Sequence, residues 1–394
     1  MKLGYFLWSC LLAFIGGHML NYTVIFLALE WFSSPFLSGL GFALAFGPPI
    51  ILGWLAGVYC DRYAPRRVIL IAQNAYLLAA VILGTALYLQ PHNLLPFYLI
   101  ASFCLGVAWS FVAPARFAAV RFYVEQNKLV AATISLNVMV MLGFGLAPIL
   151  VKALSYYLGW WGVLTVSSTF IFISSAILLR LPHPFIPESK QSTLTMLNQV
   201  KAVIAGSMQL QTYLLLAAAV YFLMGPIQIL LPNIAQHLLN LSQLQQGLYL
   251  SLVALALITG GLVALWIKHW KNRIDYLVVI ITLSTAGLIS LSIISQPLIS
   301  SIVLFISASL GGISVSLIVS GLQSQSNDNV RGRVMASYTI LSQVLPAFSG
   351  LLAGFVAETQ STSFGFIATS LLVVILLFFI SLRCIRSNQL EKIR

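Results

Sequence analysis

The sequence predicts an all-α polytopic membrane protein in which twelve transmembrane helices form two six-helix halves. Three observations lead to this fold class: an apolar composition, long stretches without charge, and basic residues that lie on one side of these stretches. Of the 394 residues, 60% are hydrophobic and 7% are charged, whereas an ordinary soluble domain has about 25% charged residues. Eight acidic and 20 basic residues cannot cover a water-facing surface of this size. The composition therefore excludes a soluble enzyme and makes nucleic-acid binding a poor explanation of the +12 net charge.

The uncharged stretches define the individual spans, because a helix needs about 20 apolar residues to cross the hydrocarbon layer. Single spans are predicted within residues 3–29, 31–60, 129–151, 153–179, 334–357 and 359–382. Pairs of spans are predicted within 68–115, 202–267 and 276–327, with turns near 90–93, 240–246 and 296–297. These runs are continuous rather than alternating, so they are helices and not barrel strands. The adjacent Pro48 and Pro49 are expected to distort the second span.

The basic residues predict the orientation of the spans. With the N-terminus in the cytoplasm, nineteen of the 20 Lys and Arg residues lie inside and only Lys152 lies outside. The positive-inside rule favours this arrangement, which describes a protein of the bacterial cytoplasmic (inner) membrane with both termini cytoplasmic. The four cysteines include no extracellular pair, and the chain has no CxxC or His-rich motif. We therefore expect no disulfide framework, no metal site and no cofactor.

One long loop divides the chain. Residues 181–208 contain three prolines and a polar run, as is typical of a cytoplasmic linker. The linker separates an N-terminal half, residues 1–180, from a C-terminal half with a short cytoplasmic tail, residues 209–394. Parallel six-helix halves recur in transporters, where the substrate binds near the midplane between them. Since no catalytic carboxylate pair, nucleophile motif or sensory domain is evident, the sequence favours a transporter over a membrane enzyme or a receptor.

The loop after the second span carries the most specific motif. A glycine allows two helices to approach closely, an acid four residues later can accept hydrogen bonds, and the bases that follow can pair with it. The matching residues are Gly57, Asp61, Arg62, Arg66 and Arg67. With twelve spans and a long central loop, this pattern resembles the major facilitator superfamily, although Ala64 replaces a common glycine and Pro65 a frequent base. The resemblance implies a monomeric small-molecule transporter whose motif belongs to a cytoplasmic gate that stabilises the outward-open state.

Two further basic segments resemble one branch of that family. Arg116 follows Pro114 at the end of span four, and Arg331 and Arg333 precede span eleven. Both segments look like the branch that contains the enterobactin exporter and related efflux carriers, and we add the three arginines to the predicted gate. The alternative is that they are ordinary cytoplasmic loop bases. After span eight the matching loop has Leu265 where an acid is expected.

The fifth span favours export. Its Gly143-Phe-Gly-Leu-Ala147-Pro148 segment resembles the Gly-Pro pattern of proton-driven exporters, with alanine in place of the second glycine. The same residues would also suit a simple packing kink, because small residues allow close approach and proline bends a helix. An arginine early in span four, another exporter signature, is absent. We predict a proton-coupled exporter or antiporter that works by alternating access, with an importer on the same scaffold as the alternative.

Ionisable groups inside a membrane are costly and therefore default to functional candidates. Glu30, at the outer end of span one, and His18, near its middle, are the proton-coupling candidates. Glu30 could instead be an interfacial residue, and His18 a packed side chain bonded to another helix. His18 shares a helical face with Phe14, Asn21 and Tyr22.

The remaining polar groups in the spans predict the chemistry of the substrate. The candidates for the substrate cavity are Asn21, Tyr22, Trp109, Asn137, Tyr221, Gln228 and Gln343. Buried amides also tie helices together, so each could be purely structural. Because the sequence places no Arg or Lys at the centre of a span, we expect a small amphiphilic or aromatic substrate, such as a siderophore or a drug-like compound, and not one held by a central counter-ion.

Overall fold

A computed structural model describes residues 2–90, 92–125, 128–181, 204–267, 274–326 and 328–393. The first six α-helices are α1 Lys2–Phe32, α2 Pro35–Phe46, α3 Pro49–Arg62, α4 Pro65–Leu89, α5 Leu95–Ala119 and α6 Leu129–Arg180. The next six are α7 Met208–Asn233, α8 Gln243–Trp266, α9 Ile274–Ser290, α10 Pro297–Ser324, α11 Asp328–Thr359 and α12 Thr362–Ile393. A short 3-10 turn at Val120–Phe122 follows α5, and a π-helical turn at Ile234–Leu238 follows α7.

The predicted fold class is confirmed. Within the described residues, ten helical segments are long and apolar enough to cross a membrane, and α9 is an additional, shorter apolar helix. The 52-residue α6 is two spans, because its backbone leaves the helical conformation at Gly159. Counting α6 twice and including α9 brings the number of spans to twelve.

The break between the fifth and sixth spans is not where the charge pattern placed it. We expected the turn at Lys152, but the helix continues through this residue and breaks at Gly159, where φ is +65° and ψ is −174°. This backbone conformation is essentially restricted to glycine. A lysine can stay helical inside a span when its ammonium finds partners, so the charge at Lys152 was a misleading signal for a loop.

Prolines shape the second span as expected. Pro35 is the first residue of α2 and Pro49 is the first residue of α3. The two helices meet at Gly47 and Pro48. Ser34 caps α2 by accepting a hydrogen bond of 3.0 Å from the backbone N–H of Leu37. The second span is thus two short helices with a break between them.

The chain forms two compact units. The first comprises Met1–Ser189 with Asn240–Ala254, and the second comprises Lys190–Leu239 with Leu255–Arg394. In the first unit, α1 packs along α6, and α4 packs along α5. In the second unit, α7 packs against α11 and α12, and α9 packs against α10.

We expect Gly159→Ala to lower the free energy of unfolding by about 1–3 kcal/mol, because a Cβ atom is strained in this backbone conformation. The measurement is the melting temperature of the purified protein in detergent. Gly4→Ala is the matched control, since an added Cβ at this helical glycine meets no atom within 4 Å and alanine favours helix. Equal melting temperatures for the two variants would contradict the assignment of the break to Gly159.

Candidate substrate site in the first unit

Helix α1 is enclosed by protein along most of its length. Every residue from Ala13 to Ala28 is buried, as expected of a helix that is apolar on all faces and lies inside a bundle. At this depth His18 and Asn21 carry the most polar side chains, next to the hydroxyls of Tyr22 and Thr23. Since α1 has no lipid-facing side here, both polar side chains must point at other helices of the unit.

The imidazole of His18 lies among aromatic rings from three other helices. Its ring centroid is 6.5 Å from that of Phe46 at the end of α2, 5.1 Å from that of Trp109 in α5, and 5.7 Å from that of Phe144 in α6. The Nε2 atom of His18 is buried and has no hydrogen-bond partner. The ring is therefore packed, but one of its polar atoms is left without a partner.

Two neighbouring side chains have the same property. The Nδ2 and Oδ1 atoms of Asn21 and the Nε1 atom of Trp109 are also buried without a hydrogen-bond partner. An unsatisfied buried polar group costs about 1–3 kcal/mol, and folded proteins rarely retain one without a reason. We call His18, Asn21 and Trp109 the polar cluster. A group of three such side chains, one helical turn or one ring contact apart, is suited to hydrogen-bond a ligand.

The other cavity candidates divide between the two units. Tyr22 belongs with the polar cluster, because its ring centroid lies 6.0 Å from that of Phe144. Asn137 does not: it is exposed, and its amide donates to the carbonyl of Thr133 in its own helix at 3.2 Å. This hydrogen bond lies within α6 and does not tie it to another helix.

Three candidates lie in the second unit. Tyr221 pairs with Tyr338, with 2.6 Å between their hydroxyl oxygens and 5.6 Å between their ring centroids. Gln228 is buried and Gln343 is half-buried. Tyr338 was not a candidate, because a pairing between α7 and α11 leaves no local pattern in the sequence.

Glu30, near the end of α1, and Lys152, in α6, both belong to the first unit. Trp160, directly after the break at Gly159, donates its indole N–H to both carboxylate oxygens of Glu30 at 3.0 Å. The ammonium of Lys152 lies over the ring of Phe26, 4.3 Å from its centroid. Lys152, which the charge pattern placed in a loop, is thus half-buried inside α6.

Arg116 is completely buried in the last turn of α5. Its guanidinium donates to Gln73 of α4 at 3.1 Å and to Ser174 of α6 at 2.8 Å. It also donates to Ser9 at 3.3 Å and to the thiol of Cys10 at 3.1 Å, both in α1. The predicted gate arginine thus ties four helices of one unit together through neutral partners.

The rest of the predicted gate is described only in part. The description of the chain does not extend to the surroundings of Gly57 or to the side chains of Asp61, Arg331 and Arg333. Arg62 and Arg67 are exposed at the junction of α3 and α4.

Arg66 is bound to the end of α6. Its guanidinium donates to the carbonyl oxygens of Leu179 at 2.6 Å and Leu181 at 3.0 Å, which complements the unpaired carbonyls at a helix C-terminus. The charge of Arg66 also acts on Tyr123, which follows α5. Burial raises the pKa of the Tyr123 phenol, and the positive charge of Arg66 opposes that rise. Arg66 therefore fixes the loop after α3 to the end of α6.

The segment that resembles an exporter motif is closely packed. A Cβ atom at Gly143 would lie 2.7 Å from the Cβ of Phe14 in α1, and one at Gly145 would lie 2.6 Å from the Cβ of Ala254 in α8. Ala147 is fully buried. Small residues at these positions let α6 approach both neighbours.

The described residues form a bundle of apolar helices long enough to cross a membrane, with a polar cluster inside an aromatic wall, an arrangement that suits a membrane transporter. The chain belongs to the Major Facilitator Superfamily, whose family model matches residues 6–350. A comparison with curated protein sequences gives no match.

Solved structures share the fold. A bacterial homologue of the human lysosomal transporter Spinster has a TM-score of 0.76 and 13% identity, and the match covers 97% of this chain and 96% of that one. The POT family transporter PepTSo has a TM-score of 0.76 and 13% identity, with 99% and 98% covered. The nucleoside transporter NupG has a TM-score of 0.73 and 13% identity, with 96% and 98% covered. At such identity the likeness establishes the fold alone.

Proposed function

We propose that this transporter exports a small amphiphilic molecule, such as a siderophore or a drug-like compound, by alternating access in exchange for protons. The observation that carries the proposal is the polar cluster, which places unpaired hydrogen-bonding atoms within an aromatic wall. Aromatic faces bind flat apolar groups, while a few convergent polar atoms orient them. The resemblance to the enterobactin-exporter branch supports the same class of substrate. We further propose a monomer in the bacterial inner membrane, with both termini cytoplasmic.

The direction of transport is inferred from α6. The Gly143 to Pro148 segment resembles the pattern of proton-driven exporters, and its glycines lie in close contact with α1 and α8. An added side chain would separate these helices. The close packing is compatible with this motif, and its resemblance to the pattern of proton-driven exporters favours export over the alternative of import.

We assign proton exchange to Glu30 and substrate contact to His18. Glu30 is exposed, and its carboxylate is oriented by Trp160. A carboxylate that can reach water and is held in place is suited to bind and release a proton. His18, in contrast, is buried among the rings of Phe46, Trp109 and Phe144, and its unpaired Nε2 atom is suited to hydrogen-bond a ligand.

The cytoplasmic gate is proposed to contain Gly57, Asp61, Arg62, Arg66, Arg67, Arg116, Arg331 and Arg333. The contacts of Arg66 support this role, because they hold the motif loop against α6. The contacts of Arg116 support a second function within it, that of fixing the helices on which the gate rests.

Inside-out vesicles with an acidic lumen test the proposal. We expect the wild-type protein to accumulate at least one of three fluorescent amphiphiles of different charge: ethidium, umbelliferone or anilinonaphthalene sulfonate. Collapse of the pH gradient should stop accumulation. In Glu30→Gln the pH gradient should lose its effect, whereas His18→Phe should lower the affinity for the probe and keep the pH dependence of residual transport.

The controls separate the alternatives. Thr23→Val changes a buried side chain of α1 whose hydroxyl bonds only its own helix, at 2.8 Å to the Met19 carbonyl, and it should transport normally. Accumulation only in right-side-out vesicles would establish import. A Glu30→Gln variant with full pH dependence would exclude Glu30 as the proton site.

A further inference from the structure

The ammonium of Lys152 occupies an unusual position for a charged group. It lies in α6 seven residues before the break at Gly159, so it is inside the helix and not in a loop. It lies over the face of Phe26, 4.3 Å from the ring centroid. A cation on an aromatic face keeps its hydrogen-bond donors available.

The nearby carboxylate does not use these donors. Glu30 lies one helical turn beyond Phe26, but both of its oxygens accept from the indole N–H of Trp160. Among the described residues, no carboxylate oxygen lies within 4 Å of the Lys152 ammonium. The charge of Glu30 is close enough to accompany the lysine, but the two groups do not form an ion pair.

A continuous row of rings leads from Lys152 to the polar cluster. We call this row the aromatic ladder; its members, in order, are Phe26, Tyr22, Phe144, His18 and Trp109. Successive ring centroids are 5.9, 6.0, 5.7 and 5.1 Å apart. Along α1 the ladder runs from residue 26 to residue 18, which is about 12 Å at 1.5 Å per residue.

The two ends of the ladder differ in chemistry. One end carries the ammonium of Lys152. The other carries the unpaired polar atoms of His18, Asn21 and Trp109. Between them lie only rings, of which Phe144 is half-buried. Within the packed interior of the first unit, a cation, a row of rings and a neutral hydrogen-bonding group therefore lie in line.

We propose that Lys152 is an anion-recognition residue and that the substrate is an aromatic carboxylate with a neutral hydrogen-bonding group about 12 Å from its acid. The carboxylate binds the ammonium, the ring system lies along the aromatic ladder, and the distal polar group pairs with the polar cluster. The proposal rests on the proposed transport function and specifies the substrate class for it. It narrows the small amphiphilic or aromatic substrate that the sequence suggested to an aromatic carboxylate.

The test uses a biphenyl with a hydroxyl at one para position and a carboxylate at the other. Its matched partner carries a carboxamide in place of the carboxylate. Titration calorimetry measures both affinities on the full-length protein in nanodiscs of phosphatidylcholine at neutral pH. We expect the carboxylate to bind at least about tenfold more tightly than the carboxamide, or about 1.4 kcal/mol. Equal affinities for the wild-type protein would overturn the proposal without any variant.

Three variants then test which residue causes the preference for the carboxylate over the carboxamide. Lys152→Met should bring the ratio of affinities close to one by weakening only the carboxylate, and Lys152→Arg should restore most of it. Glu30→Gln should strengthen the carboxylate alone, because it removes the competing negative charge. A ratio that survives Lys152→Met would place the anion elsewhere. A phosphatidylglycerol nanodisc that abolishes the preference would assign Lys152 to a lipid headgroup and overturn its role in substrate binding.

The outcome is independent of the direction of transport and of proton coupling, because no gradient is present. A carboxylate preference without movement in vesicles would leave the binding site in place and reject the export function. Movement of a probe without a carboxylate preference would support transport and reject Lys152 as the anion site.

Discussion

Replacing Asn21 by leucine is expected to stabilise the protein while it abolishes substrate binding. The Asn21 amide has two buried atoms without partners, and a leucine of similar size removes their desolvation cost. We expect the free energy of unfolding to rise by about 2 kcal/mol, and the affinity for a transported probe to fall at least about tenfold. Thermal melting in detergent and probe binding measure the two effects on one preparation.

A rise in stability together with a fall in affinity would identify Asn21 as a binding residue. A residue that only supports the fold should lose stability when it is replaced, whereas a residue retained for binding trades stability for function. Thr23→Val is the control on the same helix, because its hydroxyl is satisfied, and both quantities should stay within a small margin of the wild type. A destabilised Asn21→Leu protein that binds normally would show that Asn21 is a structural tie.

Replacing Arg116 by alanine is expected to have the opposite effect on stability. The guanidinium makes four hydrogen bonds to side chains of α1, α4 and α6, and bonds to charged groups contribute about 1.5–3 kcal/mol each before the cost of burying the charge. The variant also leaves a cavity in a packed site. We expect a net loss of about 3–5 kcal/mol and a lower melting temperature.

Lys128→Ala is the control for charge alone. Lys128 is exposed and pairs only with Glu125, three residues away, at 3.6 Å, so its loss should cost less than about 1 kcal/mol. Transport below the melting temperature then distinguishes the two roles of Arg116. If Arg116→Ala melts normally but does not transport, the arginine acts in the gate and not as the tie that we describe.

The spans could be predicted from the sequence because membrane insertion depends on local composition. Each run without charge is long enough to satisfy the hydrocarbon layer, and this requirement does not depend on the neighbours of the helix. The exception is the boundary at Lys152. A charge usually marks a loop, but here Phe26 and the nearby Glu30 accompany it inside the unit, while Gly159 makes the turn. Only the three-dimensional contacts show that the chain turns at Gly159 and not at the charged Lys152.

The candidate site could be predicted in part for the same reason. His18, Asn21 and Tyr22 are close in sequence on one helix, so their proximity follows from the helical repeat. Their partners Phe46 and Phe144 come from other helices, and nothing local connects them to α1. Lys152 was missed as a ligand-binding candidate because it was assigned to a loop.

The ties of Arg116 and Arg66 have a mechanical consequence. Arg116 bonds α5 to α1, α4 and α6, and Arg66 bonds the start of α4 to the end of α6. Helices joined in this way cannot slide past one another during a transport cycle without breaking several bonds at once, so they move as a single rigid body. The second span is built differently, because Pro48 and Pro49 supply no backbone N–H between its two short helices. We therefore expect bending of this span to concentrate at the junction of α2 and α3, where fewer backbone hydrogen bonds resist it.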